Sequence, residues 1–216
     1  MLRTTIMMVL LAGQALAGPW PREKGRTFLA VAGFAETPET GQSVTGYATV
    51  YGEYGLSDTV TVGLDLGSDE DATEKIIGFL RVPLLPADRS LKFALELGAG
   101  RLDGDGVVRP GMSLGHGLKI FGRNGWFAID TRGEVFVDGG AANASGDVTL
   151  GLSATEKTKV VLQLQGGTSA FDDTFLRLAP SMIREFAPGR HIEFGITAGL
   201  KDAADFGIKL GSWLEF

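Results

Sequence analysis

The sequence predicts an all-β fold, a transmembrane up-and-down antiparallel β-barrel of about twelve strands that follows a cleaved signal peptide. Three observations predict it: a strand-like final segment that ends in Phe216, tight polar turns at regular spacing, and an export signal at the amino terminus. After Ala17 no segment approaches about 18 uncharged apolar residues, so a membrane-spanning helix is not expected. Strands that alternate between lipid and lumen are another use for so many apolar side chains.

The final segment, residues 205–216, shows this alternation most clearly. Even positions carry Phe206, Ile208, Leu210, Leu214 and Phe216, whereas odd positions carry Gly207, Lys209, Gly211 and Glu215. Trp213 is the only large apolar residue at an odd position. Since successive side chains of a strand point to opposite faces, one face of this strand is apolar and the other is charged or small.

Residues 1–17 have the pattern of a secretory signal peptide. Arg3 supplies the positive start, residues 6–12 form an apolar core, and Ala15-Leu16-Ala17 is a cleavage site of small residues. A buried or frayed amino-terminal helix is the alternative interpretation. The sequence thus predicts a signal peptide at residues 1–17 and one barrel domain at residues 18–216, with a short periplasmic lead-in at residues 18–25.

Composition narrows the function classes. The chain has 32 Gly, a mean hydropathy of +0.13 and no Cys, which excludes disulfides and thiolate metal sites. The signal contains one base and no acid, so the net charge of −6 becomes −7 after cleavage. An acidic chain argues against nucleic-acid binding, which needs a basic face.

Tight polar turns recur along the chain at positions near 57, 87, 123, 156 and 189. Steps of about 30 to 36 residues hold two membrane strands of roughly 9 to 11 residues, one turn and one longer loop. The predicted strands are residues 27–35, 46–54, 59–66, 74–84, 90–99, 107–118, 126–136, 147–154, 159–166, 174–186, 191–200 and 205–216. The second and fourth alternate poorly, and ten or fourteen strands are alternatives to twelve. A soluble β-sandwich also alternates and is the competing fold.

The segment from Tyr47 to Asp65 combines a Tyr-rich strand, a Tyr-Gly-Leu-Ser-Asp turn and a Thr-Val-Gly-Leu strand. Together with the terminal Phe216, it resembles small Gram-negative (proteobacterial) outer-membrane β-barrel proteins of the porin and transporter type. The resemblance implies location in the outer membrane, contact with its lipid and lipopolysaccharide, and recognition of Phe216 as an assembly signal by the barrel-assembly machinery. It implies no substrate residues.

Charged and amide side chains on the face opposite the apolar one are the lumen and selectivity candidates, because charges lining a pore set its selectivity. They are Asp65, Lys92, Glu96, Gln163, Gln165, Arg177, Glu193 and Lys209. Glycines on the same face leave room for a bulky partner or for water. In a narrow barrel, the charged groups would pair with one another and close the lumen.

Aromatic residues near predicted strand ends are expected to form a belt at the membrane interface, where amphipathic rings are enriched. The candidates are Tyr47, Tyr51, Tyr54, Trp126, Trp213 and Phe216. A stacking track for sugars inside the lumen is the alternative.

Catalytic and metal sites are not predicted. Ser113 and His116 are three residues apart, which places them on opposite faces of a strand, and His191 follows a turn and is expected to be solvated. The acidic runs Asp69-Glu70-Asp71 and Asp103-Gly104-Asp105 lie in predicted loops and lack the calcium-loop pattern. No cofactor is expected.

The sequence favours a narrow passive pore for small hydrophilic or amphipathic solutes, of unknown identity, in the outer membrane. A closed barrel that serves envelope integrity is the chief alternative. A lipid-modifying enzyme is a weaker one, and a secreted soluble sandwich is the weakest.

Overall fold

The structure is a computed structural model that describes residues 18–37, 44–69, 73–170 and 174–216. These residues contain twelve strands: β1 (Thr27–Thr37), β2 (Thr45–Ser57), β3 (Val60–Asp69), β4 (Thr73–Pro83), β5 (Leu91–Leu102), β6 (Asp105–Ile120), β7 (Arg123–Phe136), β8 (Ala142–Ser153), β9 (Thr158–Thr168), β10 (Phe175–Ala187), β11 (Arg190–Lys201) and β12 (Phe206–Glu215). They form one closed antiparallel barrel in sequence order, which confirms the predicted fold class and strand number. Within the same residues, no helix is long and apolar enough to cross a membrane.

The last strand closes the barrel against the first. Ala30 of β1 lies opposite Trp213 of β12, and the pairing continues along ten residue pairs. The Thr27 amide donates to the Phe216 carbonyl oxygen at 2.7 Å, and the Phe216 amide donates back to Thr27 at 3.1 Å. Closure leaves no unpaired strand edge, and both ends of the barrel domain lie on one side, here named the terminal end.

The outer surface is apolar around the barrel. Leu80, Leu97, Met112 and Leu210 are among its exposed side chains, and Leu97 is 60% exposed. Charged side chains such as Arg81, Glu96 and Arg109 on the same strands point inward and are buried. An apolar outer surface around a charged interior is the arrangement that a bilayer stabilises, since lipid covers the apolar band.

Strands β2 and β4 alternate poorly in sequence because large apolar side chains also point inward there. Tyr47 and Tyr51 of β2, and Ile77 and Phe79 of β4, are all buried in the barrel interior. The polarity of these residues therefore does not show which face of the strand they lie on, whereas their odd or even position along the strand does. The burial pattern of β2 alternates strictly over Tyr47–Leu56 despite its mixed composition.

Several strands extend further than predicted. Residues 137–146, which lie between the predicted strands 126–136 and 147–154, overlap β8, which begins at Ala142. Asn143 is buried in the lumen and Ala144 is exposed. The predicted loop at residues 100–106 reduces to a turn at Asp103 and Gly104, both with left-handed backbones at φ 52° and 88°. Predicted loops at residues 36–45, 67–73 and 167–173 fall partly outside the described residues.

Candidate functional site

The barrel interior holds a continuous series of ion pairs on β2 to β6, here named the ion-paired wall. Its members are Glu53, Asp65, Lys75, Arg81, Glu96 and Arg109, each no more than 7% exposed. They reach one another because inward side chains of neighbouring strands stand opposite in register, as Arg81 does to Glu96. All six lie on the inward face because they share the parity of their strands' buried positions.

Arg81 is the central member of this wall. Its Nη1 lies 2.5 Å from Glu53 Oε1, and its Nη2 lies 2.6 Å from Glu96 Oε2. Nη2 also donates to the Tyr51 hydroxyl at 3.0 Å, and that hydroxyl donates to Glu53 Oε1 at 2.6 Å. Such charge-assisted bonds are shorter and stronger than neutral ones, so they hold these four side chains in one arrangement.

Arg109 continues the series toward the other end of the barrel. Its Nη2 lies 3.0 Å from Glu96 Oε1, and its Nη1 lies 2.6 Å from Asp65 Oδ2. The second Asp65 oxygen lies 2.9 Å from Lys75 Nζ. Asp65 therefore lies between two bases, and Glu96 contacts Arg81, Arg109 and also Arg132, whose Nε lies 3.5 Å from Glu96 Oε1. Such pairing is the condition under which charges are tolerated away from water.

The opposite side of the lumen, formed by β9 to β12, is mostly uncharged and is here named the polar wall. It consists of Gln163, Gln165, Ser181, Glu193, Thr197 and Lys209. Gln165 Nε2 donates to Gln163 Oε1 at 3.2 Å, and Gln163 Nε2 donates to Thr149 Oγ1 at 3.0 Å. Amides and hydroxyls of this kind offer both donors and acceptors to a passing solute.

One ion pair interrupts the polar wall. Lys209 Nζ lies 2.8 Å from Glu193 Oε2, and Trp213 Nε1 donates to the same oxygen at 3.1 Å. The other carboxylate oxygen, Glu193 Oε1, is buried without a hydrogen-bond partner, and so is Thr197 Oγ1. Buried polar atoms are normally paired, so these two mark a place where water or a solute group can bind.

These unpaired atoms border a small cavity. It is lined along β9 to β12 by the polar wall and Gly195, and on β1 by Phe34, which stands opposite Lys209 in register. About 10 Å³ is available to the centres of water molecules, which corresponds to roughly one water.

Arg177 bridges the polar wall to β1. Its Nη1 lies 2.7 Å from Glu36 Oε1, and its Nε donates to Gln165 Oε1 at 2.9 Å. Both partners are buried. The pair spans the lumen at the height of the β1 carboxyl end, opposite the terminal end, and narrows the interior there.

Apolar side chains narrow the lumen further at two levels. The level away from the terminal end consists of Tyr47, Ile77, Leu102, Val107, Phe136 and Phe175. The level toward the terminal end consists of Phe28, Ala30, Tyr51, Phe79, Val161, Ile183 and Trp213. Apolar constrictions of this kind restrict the passage of water and ions.

Inward glycines have two different neighbourhoods. On the ion-paired side a Cβ at Gly63 would overlap the Phe79 ring, and on β8 one at Gly151 would overlap the Trp126 ring of β7. At Gly195, by contrast, the added Cβ would lie 3.1 Å from Ser181 Cβ, 3.3 Å from the Pro180 carbonyl oxygen and 3.4 Å from Lys209 Cβ. Gly195 therefore has more space in front of it than Gly63 has, at the place where the cavity lies.

Seven of the eight predicted lumen residues point inward and are largely buried: Asp65, Glu96, Gln163, Gln165, Arg177, Glu193 and Lys209. Lys92 shares their face but lies near the terminal end, where its Nζ donates to the Ala87 carbonyl oxygen at 2.5 Å in an exposed position. Lys92 therefore lies at the mouth of the lumen, apart from the other seven.

Among the described residues, sequence reasoning missed nine charged lumen residues: Glu36, Glu53, Lys75, Arg81, Arg109, Asp130, Arg132, Glu134 and Asp147. The available signal was their spacing: Lys75 and Arg81 share the odd positions of β4 with Ile77 and Phe79. Sorting by polarity places Lys75 and Arg81 on one face of β4 and the two apolar residues on the other, because it treats an inward apolar side chain as lipid-facing. Position along the strand is the better criterion in a narrow barrel.

The predicted interface belt is wrong for most of its aromatics. Tyr47, Tyr51 and Trp213 are at most 5% exposed and point into the lumen, and Trp126 packs against the inner cluster that contains Trp213. Their strand parity matches that of the lumen charges, which decides their direction. Tyr54 and Phe216 lie on the outside, at 43% and 62% exposure.

The two histidines differ in location. His116 Nδ1 lies 3.1 Å from the Ser90 carbonyl oxygen, whereas Ser113 faces inward and donates to Asp130 Oδ1 at 2.5 Å. The predicted opposite placement of His116 and Ser113 is therefore confirmed. His191 is buried with its ring 6.3 Å from that of Trp213, so the prediction of a solvated turn residue is wrong.

The acidic turn between β5 and β6 lies outside the strands. Burial, together with the Asp105 and Asp69 carboxylates, raises the pKa of Asp103. Among the described residues, no three carboxylate or imidazole groups come close enough together to hold a metal ion. Glu70 and Asp71 of the second acidic run lie outside the described residues.

No protein-family model matches the chain, and no curated protein sequence matches it. Solved structures do match. An outer membrane channel from Pseudomonas putida F1 has a TM-score of 0.64 at 9% identity, covering 96% of this chain and 100% of that one. The NanC porin has a TM-score of 0.67 at 8% identity, covering 86% and 98%. The KdgM porin has a TM-score of 0.64 at 5% identity, covering 87% and 99%. The chain therefore has the β-barrel fold found in these outer-membrane channels and porins.

Proposed function

We propose that the protein is an outer-membrane barrel that acts as a narrow passive pore for small hydrophilic or amphipathic solutes. The observation that carries this proposal is the division of the lumen into two walls. One wall is filled by ion pairs, and the other combines amides, hydroxyls, glycines and a cavity with unpaired polar atoms. A solute would move along the polar wall, exchanging hydrogen bonds as it passes.

The outer surface supports a membrane location. Its exposed band consists of Leu, Val, Ile, Met and Phe side chains, and the barrel has no free edge. The proposed signal peptide at residues 1–17 would direct export. Phe216, which lies exposed beside the β1–β12 seam, fits an assembly signal, and lipid with lipopolysaccharide would surround the apolar band.

Selectivity would arise from the Glu193 and Lys209 pair. These are the two charged residues that line the cavity, and they have opposite sign. A matched pair favours neither cations nor anions strongly, so the pore would be weakly selective until one partner is removed.

A non-enzymatic role accords with the side-chain geometry. Ser113 donates to Asp130, and His116 lies on the other face of β6, so these residues cannot form a nucleophile and base pair. The chain would then need no cofactor, and its function would depend on the lumen alone.

A closed barrel that serves envelope integrity is the second candidate. The observation that favours it is the tightness of the interior: the described cavity holds about one water, and apolar clusters cross the lumen at two levels. In that case the ion-paired wall would be purely structural.

Single-channel recording in a planar bilayer separates the two candidates. The protein would be expressed in a Gram-negative host, purified from the membrane fraction, and shown to be folded by a change in gel mobility on heating. Discrete small conductance steps are expected from the pore. A folded, heat-modifiable barrel that gives no steps over a wide voltage range would reject the pore and leave the closed barrel.

A further inference from the structure

The segment before β1, residues 18–26, enters the barrel at the terminal end and is here named the strap. Gly18 and Pro19 are buried inside the lumen. Arg81 Nη1 of the ion-paired wall donates to the Gly18 carbonyl oxygen at 3.3 Å. The strap therefore reaches the central member of that wall, so it lies deeper in the barrel than the short periplasmic lead-in expected from sequence.

Arg22 anchors the strap. Its Nε lies 2.5 Å from Glu53 Oε2, its amide donates to Thr61 Oγ1 at 3.1 Å, and its guanidinium carbon lies 4.4 Å from the centre of the Phe28 ring. Glu53 is thus bridged on one side by Arg81 and on the other by Arg22. The strap supplies the last cation of the alternating series of ion pairs.

Two inward glycines make room for the strap. A Cβ at Gly115 of β6 would lie 2.6 Å from both Pro19 Cγ and Trp20 Cη2. One at Gly55 of β2 would overlap the Glu23 carbonyl oxygen. Contacts this close mean that the interior is shaped to the strap on two different strands.

The strap is joined to β1 through a short turn. Gly25 has a left-handed backbone at φ 79°, and the Arg26 amide donates to the Glu23 carbonyl oxygen at 3.0 Å. The Gly25 amide donates to the Gly55 carbonyl oxygen at 2.8 Å, which fixes this turn to the barrel rim. The part beyond the turn, residues 18–22, is free to leave without breaking any strand pairing.

From this geometry we infer that the strap is a gate of the pore at its periplasmic end. Docked, it occupies the lumen beside the ion-paired wall and reduces the cross-section. Undocked, it opens that cross-section and leaves Glu53 with Arg81 alone. The inference rests on the proposed pore, and it adds the element that controls conduction.

A reversible cross-link tests the gate. A Cβ at Gly18 would lie 3.9 Å from Ala128 Cβ, within the range of about 3.5–4.5 Å that a disulfide requires. The chain has no cysteine, so Gly18→Cys with Ala128→Cys introduces a single possible pair. The Trp20 ring lies 2.8 Å from the new Cβ and has to turn aside.

The oxidised double variant is expected to conduct at least twofold less than its reduced form in the same bilayer. The two single cysteine variants, which cannot cross-link within the chain, should not respond to reductant. If the disulfide forms and the conductance steps keep their size, the gate is rejected and the pore stands. If it forms and neither state conducts, the pore itself is rejected. Failure of the pair to oxidise would show that the strap does not dock.

Gly115→Ala provides a second test that needs no cross-link. The added methyl group would displace Pro19 and Trp20, so conductance is expected to rise at least twofold. Gly117→Ala is the matched control on the same strand, since nothing lies within 4 Å of that position. Equal conductance in the two variants, with both folded by heat modifiability, would overturn the gate.

Discussion

Replacement of Arg81 by Met is expected to lower the free energy of unfolding of the barrel by about 3–5 kcal/mol, because it removes a base that two buried carboxylates share. Glu53 and Glu96 both contact Arg81 and are almost fully buried. Glu96 keeps Arg109 as a partner and Glu53 keeps Arg22, so the loss is large but does not leave either carboxylate alone. Methionine retains most of the volume of the side chain, which separates the charge effect from a packing effect.

Reversible urea unfolding in liposomes, followed by tryptophan fluorescence, measures this loss. Arg101→Met is the matched control, since Arg101 is exposed on β5 and should change stability by well under 1 kcal/mol. Adding Glu53→Gln to Arg81→Met should recover part of the lost stability, because it removes one of the two carboxylates that lost a base. An Arg81→Met barrel as stable as the Arg101→Met control would contradict the account of the ion-paired wall.

Replacement of Lys209 by Gln is expected to make the pore cation-selective. Lys209 neutralises Glu193 across 2.8 Å at the cavity, and its loss leaves one uncompensated negative charge there. A unit charge about 6 Å from a permeating ion contributes about 1.4 kcal/mol at an effective dielectric constant of about 40. A cation is favoured and an anion is disfavoured by about this amount each, so the cation-to-anion permeability ratio should rise about a hundredfold.

The reversal potential in a salt gradient measures the change in permeability ratio. Lys92→Gln removes the same charge at the exposed mouth of the lumen, where solvent screens it, and should shift the potential much less. An equal shift in both variants would show that Glu193 and Lys209 do not line the route of the ions.

The number of strands could be predicted from the sequence, because the spacing between turns has to match the number of residues that a strand needs to cross the membrane. Five tight turns at steps of about 33 residues fix ten of the strand ends, and the last strand follows from its alternation. Segments such as residues 191–200 alternate strictly and give their faces correctly. The fold thus follows from local patterns that do not depend on contacts distant in sequence.

The residues that line the lumen were harder to predict from the sequence, because the composition of the lumen depends on the width of the barrel. In a narrow barrel, inward positions take Phe79 and Tyr51 next to Arg81, and inward glycines make room for them. A polarity pattern cannot distinguish these aromatics from interface aromatics, which is why Tyr47, Tyr51 and Trp213 were misassigned. Trp213 had the odd parity of Lys209, and that signal was the correct one.

The docking of the strap in the lumen could not be predicted from the sequence, for a different reason. Residues 18–25 contain two prolines and a tryptophan, a composition that fits an exposed lead-in as well as a lumen plug. Their docking depends on Gly115 and Gly55, which lie about 90 and 30 residues away in sequence. Such long-range fits have no local pattern.

Chemical blocking at single introduced cysteines tests whether solutes pass along the polar wall. The cysteine-free chain allows Ser181→Cys on the polar wall and Ala94→Cys beside Glu96, each probed with a small cationic methanethiosulfonate reagent during single-channel recording. The reagent is expected to reduce conductance in Ser181→Cys, reversibly with a thiol, and to leave the conductance of Ala94→Cys unchanged. Block at position 94 without block at position 181 would contradict passage along the polar wall.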